Sequence, residues 1–280
     1  MKLLYKYIAI LLISILSTSC NTEITLNTSF EPQVFIFGNL TNATEHLKIT
    51  IQESVSVENT SNEPKPVNNA KIVLYTENSN GESSIVTGEF LKNTGVYQSI
   101  SVISPTFGNY YWIEVELEDG TTYKSEKEQL KPLVYIDEVS KINGFIRASF
   151  KDPKDKRNFY KLEITTSENG IDSGAYMLSN DILFDGNDDA FIEENIGLFK
   201  GTVHASLANF SYDTYQFYLN VVIQEDTQSG GDGEGGGLSQ LFATPPVHLT
   251  GNIINLKTNR KILGNFGVVS IATKDVSGFE

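Results

Sequence analysis

The residues best suited to binding a metal form an acidic segment in the second half of the chain. Asp181, Asp185, Asp188 and Asp189 lie close together in the sequence, and calcium is bound by several oxygen ligands from a flexible loop. Their spacing differs from the EF-hand pattern, which has acidic residues at alternating positions before its glycine. Turn formation is a simpler explanation of Asp185-Gly186. We therefore expect no cofactor, with calcium at these four aspartates as the alternative.

The sequence has no arrangement of residues that is typical of nucleophilic catalysis. The three histidines, His46, His204 and His248, do not form a local zinc-binding pair. A Gly-x-Ser-x-Gly motif is absent, and the single cysteine is Cys20. Paired carboxylates, as in glycoside hydrolases, could come from the 35 acidic residues, but their number alone predicts no geometry. We expect a protein that is not an enzyme, with a hydrolase built from dispersed acids as a less favoured alternative.

Aromatic side chains are the other candidates for ligand binding. Trp112, Tyr212, Tyr215 and Tyr218 could bind a sugar or a peptide, because Tyr and Trp often line such sites. Trp112 shares one face of a predicted strand with acidic residues, whereas the three tyrosines recur at helical spacing. Packing against the core is the stronger interpretation of each.

The N-terminal residues have the order of a secretory signal peptide. Lys2 and Lys6 precede the apolar run Ile8 to Leu16, and small residues then lead to Cys20. The run is too short to span a bilayer permanently. The arrangement resembles the lipobox of bacterial lipoproteins, although its leucine stands one position earlier than usual. We expect residues 1–19 to be removed and acyl chains on Cys20 to anchor the protein in a membrane, with a plain signal peptide as the alternative.

Charge and composition limit the classes of partner. The formal net charge is −14, and loss of Lys2 and Lys6 with the signal peptide would make it −16. Such a surface repels nucleic acid and anionic headgroups. With one cysteine, no intrachain disulfide can form. The 280 residues, 40% of them hydrophobic, are enough for a sizeable core without cross-links.

The elements that position these residues are mostly short strands. Leu47, Ile49 and Ile51 alternate with polar residues, and Asp119-Gly120 predicts a hairpin turn. Short strands at this spacing favour a β-sandwich. One helix is predicted near 212–226, with Ser211 as its N-cap. Loops are predicted at 54–69 and at the Gly-rich segment 229–237, and Leu130-Lys131-Pro132 is the preferred domain boundary.

A series of short motifs runs along nearly the whole mature chain in an order that resembles one known family. The motifs are Val34–Gly38, Val67–Leu74, Gly95–Tyr97, Tyr111–Val115, Asp119–Tyr123, Asn158–Leu162, Leu183–Gly186, Pro245-Pro246, Gly251–Ile253 and Leu263–Val268. Their order is similar to that of the Bacteroidota outer-membrane lipoproteins called domain of unknown function 4249. The insert at 54–69 and the acidic Gly-rich segment depart from this pattern.

This resemblance implies a mainly β fold with two domains. An immunoglobulin-like or transthyretin-like β-sandwich would occupy 31–130, after a tether at 20–30. A second β-rich domain with one α-helix would occupy 131–280. The family has no established activity, so no functional residue is carried over.

The resemblance also implies a place in the cell. The protein would be an outer-membrane lipoprotein near a TonB-dependent transporter, serving as a non-enzymatic accessory or ligand-capture protein in nutrient uptake. Whether it faces the periplasm or the cell surface stays open. A structural or adhesion module of the cell envelope is the alternative.

Overall fold

The computed structural model describes residues 31–55, 64–168, 171–197, 200–229 and 249–279. Within these residues the chain is mainly β, with a single α-helix, as predicted. The strands are β1 (Val34–Thr41), β2 (Lys48–Glu53), β3 (Lys65–Pro66), β4 (Lys71–Glu77), β5 (Ser83–Thr87), β6 (Phe90–Asn93), β7 (Val96–Ser99), β8 (Tyr110–Glu116), β9 (Thr122–Ser125), β10 (Glu128–Gln129), β11 (Ile136–Ile142), β12 (Phe145–Phe150), β13 (Phe159–Glu168), β14 (Ile171–Asn180), β15 (Ala190–Asn195), β16 (Gly201–Phe210), β17 (Thr250–Asn255) and β18 (Arg260–Phe279). The helix α1 spans Tyr212–Ser229, and Asp181–Leu183 form a short 3-10 helix.

A first hydrophobic core lies inside the strands β5-β4-β8-β9-β17-β18-β1-β2-β7-β6, which are hydrogen-bonded in that order. Alternate side chains of β1, β2, β4 and β7 point inward, as the pattern at Leu47, Ile49 and Ile51 predicts. Most of this core comes from residues before 131, but Ile253 and Phe266 of the last two strands are also fully buried in it.

A second core lies between two smaller sets of strands. β13 pairs with β14 and β16, while β11, β12 and β15 form a separate three-stranded sheet. Phe150, Tyr160 and Leu162 are fully buried between them. The strands around the first core form a first group, and those around the second core form a second group. Together they give the β-sandwich-like packing that the strand spacing predicts.

The last strand, β18, is 20 residues long and belongs to both groups. Leu263–Val269 pair in parallel with β1, and Ser270–Phe279 pair antiparallel with β16. Residues 32–280 form one unit. The division at residue 131 stays a prediction, and it would have to assign β17 and the first half of β18 to the N-terminal domain.

Several predicted segments lie outside the described residues. These are the signal peptide at 1–19, the tether at 20–30 with Cys20, residues 56–63 of the predicted loop, and 230–237 of the Gly-rich segment. The described end of that first loop carries β3, which pairs with β2. The helix ends at Ser229, three residues beyond its predicted end near Asp226.

The close approach of β1 and β18 requires glycine at position 264. Gly264 has φ +99, and a Cβ there would lie 1.9 Å from the carbonyl oxygen of Ile36. Gly81 also has a positive φ, +80, but a Cβ there would meet no atom within 4 Å. Substituting alanine at each position therefore distinguishes the cost of the backbone conformation, present at both, from the cost of a steric clash, present only at Gly264.

We expect Gly264→Ala to lower the free energy of unfolding by roughly 3 kcal/mol or more, because strain and overpacking add. Gly81→Ala is expected to cost roughly 1 kcal/mol, from backbone strain alone. Urea unfolding followed by Trp112 fluorescence measures both. Equal losses would contradict the close parallel pairing of β1 with β18.

Candidate functional site

A buried carboxylate lies where the two groups of strands meet. Glu128 of β10 is 4% exposed and accepts four hydrogen bonds. Ser211 Oγ donates at 2.6 Å and Thr214 Oγ1 at 2.9 Å, both from the start of α1. Asn252 Nδ2 of β17 donates at 2.9 Å, and the backbone N–H of Val268 in β18 donates at 3.0 Å. One side chain thus connects four elements.

The hydroxyl groups at the start of the helix bind this carboxylate and also accept hydrogen bonds from neighbouring groups. Ser211 Oγ also accepts from the Thr214 N–H at 3.1 Å, which is the N-cap arrangement that the sequence predicts. Thr214 Oγ1, whose one hydrogen is donated to Glu128, accepts from Asn265 Nδ2 at 3.0 Å. Each hydroxyl therefore acts as both donor and acceptor, so this closed network is satisfied without water.

One asparagine completes the hydrogen bonding of the sheet beside Glu128. The pairing of β17 with β18 is interrupted between Thr250 and Ile254. Asn252 fills the gap, because its side-chain amide donates to the Phe266 carbonyl at 2.8 Å and accepts from the Phe266 N–H at 3.0 Å. A side chain thereby replaces the missing backbone ladder.

Burial sets the protonation behaviour of Glu128. Desolvation raises the pKa of this carboxyl above its ordinary value, against the lowering effect of the donors from Ser211, Val268, Thr214 and Asn252. A group whose pKa is higher in the folded chain than in the unfolded chain binds an extra proton when folded. Its contribution to stability is present below the unfolded-state pKa and is lost as the pH rises through the folded-state pKa.

We expect the stability of the protein to fall as the pH rises from about 4.5, the ordinary pKa of a glutamic acid. Glu128→Gln cannot titrate and should lack this part of the slope. Urea midpoints from pH 4 to 8 measure it, with the neighbouring, ion-paired Glu126→Gln as the control. An unchanged slope in Glu128→Gln would refute the raised pKa.

Three aspartates come together at the predicted metal-binding segment. Carboxylate oxygens of Asp152, Asp181 and Asp185 lie within 4.8 Å of one another. Asp181 and Asp185 were candidate ligands from the sequence, whereas Asp152 comes from a distant turn. Asp188 lies 4.0 Å from the ammonium of Lys151 at the surface, outside this group.

The remaining predicted ligand, Asp189, also lies outside the group. It is exposed, and its backbone N–H donates to Asn187. Two of the four predicted ligands therefore come together and two do not. A ligand set drawn from the structure would be Asp152, Asp181 and Asp185.

The two buried members of this group already have internal partners. Asp181, 1% exposed, accepts from Arg157 Nη1 at 2.9 Å and from the Asn158 N–H at 2.7 Å. Asp152 accepts from the Tyr160 hydroxyl at 2.6 Å.

The backbone N–H of Gly186 completes the partners of Asp152, at 2.9 Å from its second oxygen. Burial raises the pKa of Asp152, and the bonds from Tyr160 and Gly186 oppose this rise. Each oxygen of the two buried carboxylates thus accepts a bond from the protein itself. These bonds fix the turns at 152–158 and 181–187, and a calcium ion would have to displace some of them.

We expect calcium at about 5 mM to leave the thermal unfolding midpoint unchanged, because these internal bonds already satisfy the buried oxygens. Thermal unfolding with calcium and with a chelator measures this. A rise of several degrees that Asp185→Asn abolishes would instead establish a calcium site.

The predicted aromatic platforms are mostly packed. Trp112 is 5% exposed, stacks on Tyr75 with ring centroids 5.2 Å apart, and lies 4.6 Å from the Lys127 ammonium. Tyr215 packs 5.0 Å from the Phe159 ring.

The other two tyrosines of the helix differ in exposure. Tyr218 packs 5.7 Å from Phe210 and accepts a hydrogen bond from Asn39, whereas Tyr212 is 56% exposed. The stripe therefore attaches α1 to the sheet. None of these four aromatic residues lines the cleft described next.

A cationic cleft of about 240 Å³ lies beside the Glu128 network. Its basic lining residues are Lys131, Lys156 and Arg157, and its polar ones include Gln129 and Asn209. Its lining residues come from three segments: the one directly after Glu128, the turn at 153–158, and the end of β16 just before Ser211. The signal that points to it in the sequence is the basic segment 151–157 within a strongly acidic chain.

Two of the three histidines lie in the described residues, and each has a hydrogen-bonding partner. His46 Nδ1 lies 2.8 Å from the Ser99 carbonyl oxygen, and His204 Nδ1 lies 2.5 Å from an Asp275 oxygen. His248 and Cys20 are outside the described residues. In the part of the chain that the structure describes, no helix is long and apolar enough to cross a membrane.

Comparison with known proteins identifies the family. A family model described as Domain of unknown function (DUF4249) matches residues 21–275. The chain belongs to this family. No curated protein matches the DUF4249 chain.

Solved structures similar to the chain are β-rich and distant. The chicken interferon gamma receptor alpha chain is 10% identical, with 66% of this chain and 92% of that chain covered and a TM-score of 0.24. A two fibronectin type-III domain segment from chicken tenascin is 11% identical, with 64% and 91% covered and a TM-score of 0.20. A tetra-tandem repeat of a large adhesion protein is 10% identical, with 88% and 49% covered and a TM-score of 0.23. Likenesses at this level carry no argument about function.

Proposed function

We propose that this DUF4249 protein is a lipid-anchored outer-membrane protein that captures a ligand for an uptake transporter and catalyses no reaction. The observation that carries the proposal is the cationic cleft, which is open to solvent and held by a buried hydrogen-bond network at its edge. A preformed concave site with a few polar groups is what ligand capture requires.

The placement of the acids supports binding over hydrolysis. A hydrolase of the paired-carboxylate type needs two carboxyl groups that face a bound substrate. Asp152 and Asp181 are close together, but each accepts hydrogen bonds from the protein and neither lines the cleft. Glu128 is enclosed by four donors. These carboxylates therefore have structural partners that a catalytic role would have to displace.

The N-terminal sequence supports the anchor. Cys20 follows the apolar run, and 13 residues lie between it and the start of β1 at Val34. A segment of that length reaches at most about 45–50 Å when extended. An accessory protein tethered at this distance would stay beside a transporter in the same membrane, on either the periplasmic or the outer face. A structural or adhesion role would use the same anchor without a transporter.

Cell fractionation and affinity purification from detergent extracts test this proposal together. We expect the native protein in the outer-membrane fraction, co-purifying with a β-barrel transporter, and we expect Cys20→Ala to be released from the membrane because it cannot be acylated. A matched Ser19→Ala variant should stay in the membrane.

Two results would count against parts of the proposal. Membrane retention of Cys20→Ala would remove the lipid anchor. Recovery of the anchored native protein alone in mild detergent would remove the transporter partner and favour a structural or adhesion role.

A further inference from the structure

We propose that the cationic cleft binds a small organic anion that carries hydroxyl groups, with a carboxylate or a phosphate as the charged group. This inference names the ligand class of the site and rests on the proposed function in ligand capture. The cleft has a volume of about 240 Å³, which limits the ligand to a small molecule.

The first argument is the charge of the cleft. The mature chain would have a net charge of −16, yet Lys131, Lys156 and Arg157 meet at this one cleft. Asp181 accepts one hydrogen bond from Arg157 and offsets one of the three charges. A guanidinium has five N–H donors, so Arg157 keeps others for a ligand, and its side chain is 52% exposed. The cleft therefore attracts anions within an otherwise anionic protein.

The second argument is a buried amide oxygen without a donor. Asn209 lines the cleft, is 2% exposed, and has an Oδ1 atom that accepts no hydrogen bond from the described residues. Neighbouring groups fix the orientation of this amide. Asn158 Nδ2 donates to the carbonyl oxygens of Lys156 and Pro153, at 2.9 and 3.4 Å, so its Oδ1 faces Asn209 Nδ2 at 3.4 Å.

An unpaired buried acceptor points to a hydrogen-bond donor on the ligand. Leaving such an oxygen without a partner costs roughly 1–3 kcal/mol, and a ligand hydroxyl that reaches it recovers part of that cost. Lysine and arginine offer only donors, so they select the charged group of the ligand, whereas Asn209 selects its hydroxyl. Together these groups favour a hydroxylated anion over a plain anion or a neutral sugar.

Lys131 gives the site a pH dependence. Burial lowers the pKa of this ammonium, Asp181 and Glu128 raise it, and Lys156 lowers it further. Lys131 therefore loses its proton at a lower pH than an ordinary lysine, and affinity for an anion should fall as this proton leaves. Lys131→Arg stays charged at all accessible pH values and should bind with little change over the same range.

Isothermal titration calorimetry on the full mature chain carrying Cys20→Ala tests the proposal. The probes are gluconate and glucose 6-phosphate, with glucose as the neutral control and hexanoate as the anion without hydroxyls. We expect at least one of the first two to bind about tenfold or more tightly than either control. Which of the two binds better separates a carboxylate ligand from a phosphate ligand.

Matched charge reversals locate the site. Lys156→Glu should weaken binding about tenfold or more, whereas Lys154→Glu, on the same turn but outside the cleft, should change it less than about twofold. Both lysines are exposed, so both variants should fold, and their unfolding midpoints check this. Absence of binding of both hydroxylated anions at about 10 mM, or equal effects of the two reversals, would overturn the proposal. Either failure leaves the anchor and co-purification results untouched, because this chain lacks the anchor.

Discussion

A buried glutamate holds the two halves of this protein at their junction. Glu128 begins β10, which pairs with β8 of the first group, and the hydrogen bonds that it accepts come from the start of α1 and from β17 and β18. A carboxyl group removed from water is costly unless it is fully hydrogen-bonded. The structure supplies four donors at 2.6–3.0 Å, so the cost is offset only when all four elements are in place. The Glu128 carboxylate therefore favours a single arrangement of the elements at the junction.

The cationic cleft depends on this junction for its shape. Gln129 and Lys131 follow Glu128 directly, and Asn209 precedes the Ser211 cap by two residues. Residues that line the cleft are thus attached to residues that bind Glu128. The long strand β18 adds a second connection, because its two halves pair with β1 and β16. A binding site between two cores needs such a fixed junction if its groups are to be positioned before the ligand arrives.

Local patterns in the sequence predict the strands and the helix well. Alternation at Leu47, Ile49 and Ile51 marks which side chains are buried, since the side-chain period of a strand is two. Ser211 is predicted as the N-cap from its residue type and position, and it caps the helix in the structure. The tyrosine stripe predicts a packed helix face, and Tyr215 packs on Phe159. Each of these features depends on residues that are close together in the sequence.

Contacts between distant residues are not marked by any local pattern. β1 pairs with a strand more than 200 residues later, and Gly264 serves that pairing through a backbone approach that its neighbours do not indicate. Asp152 joins Asp181 only because two turns meet in the fold. Likewise, Asn252 resembles any strand or turn asparagine in the sequence, although its amide replaces backbone pairing in β17. The candidate cleft depends on the same kind of contact, so the basic segment 151–157 indicates part of its lining but not the cleft itself.

Native-state hydrogen exchange tests most directly whether the junction makes the two cores one cooperative unit. If Glu128 and β18 couple them, the slowest amides of β1 and β2 and those of β13 and β16 will exchange through a common opening. They will then have the same free energy and the same dependence on denaturant. Exchange of β13 and β16 at a clearly lower free energy than β1 and β2 would show that the second core opens independently. That result would contradict a fixed junction and, with it, a preformed cleft.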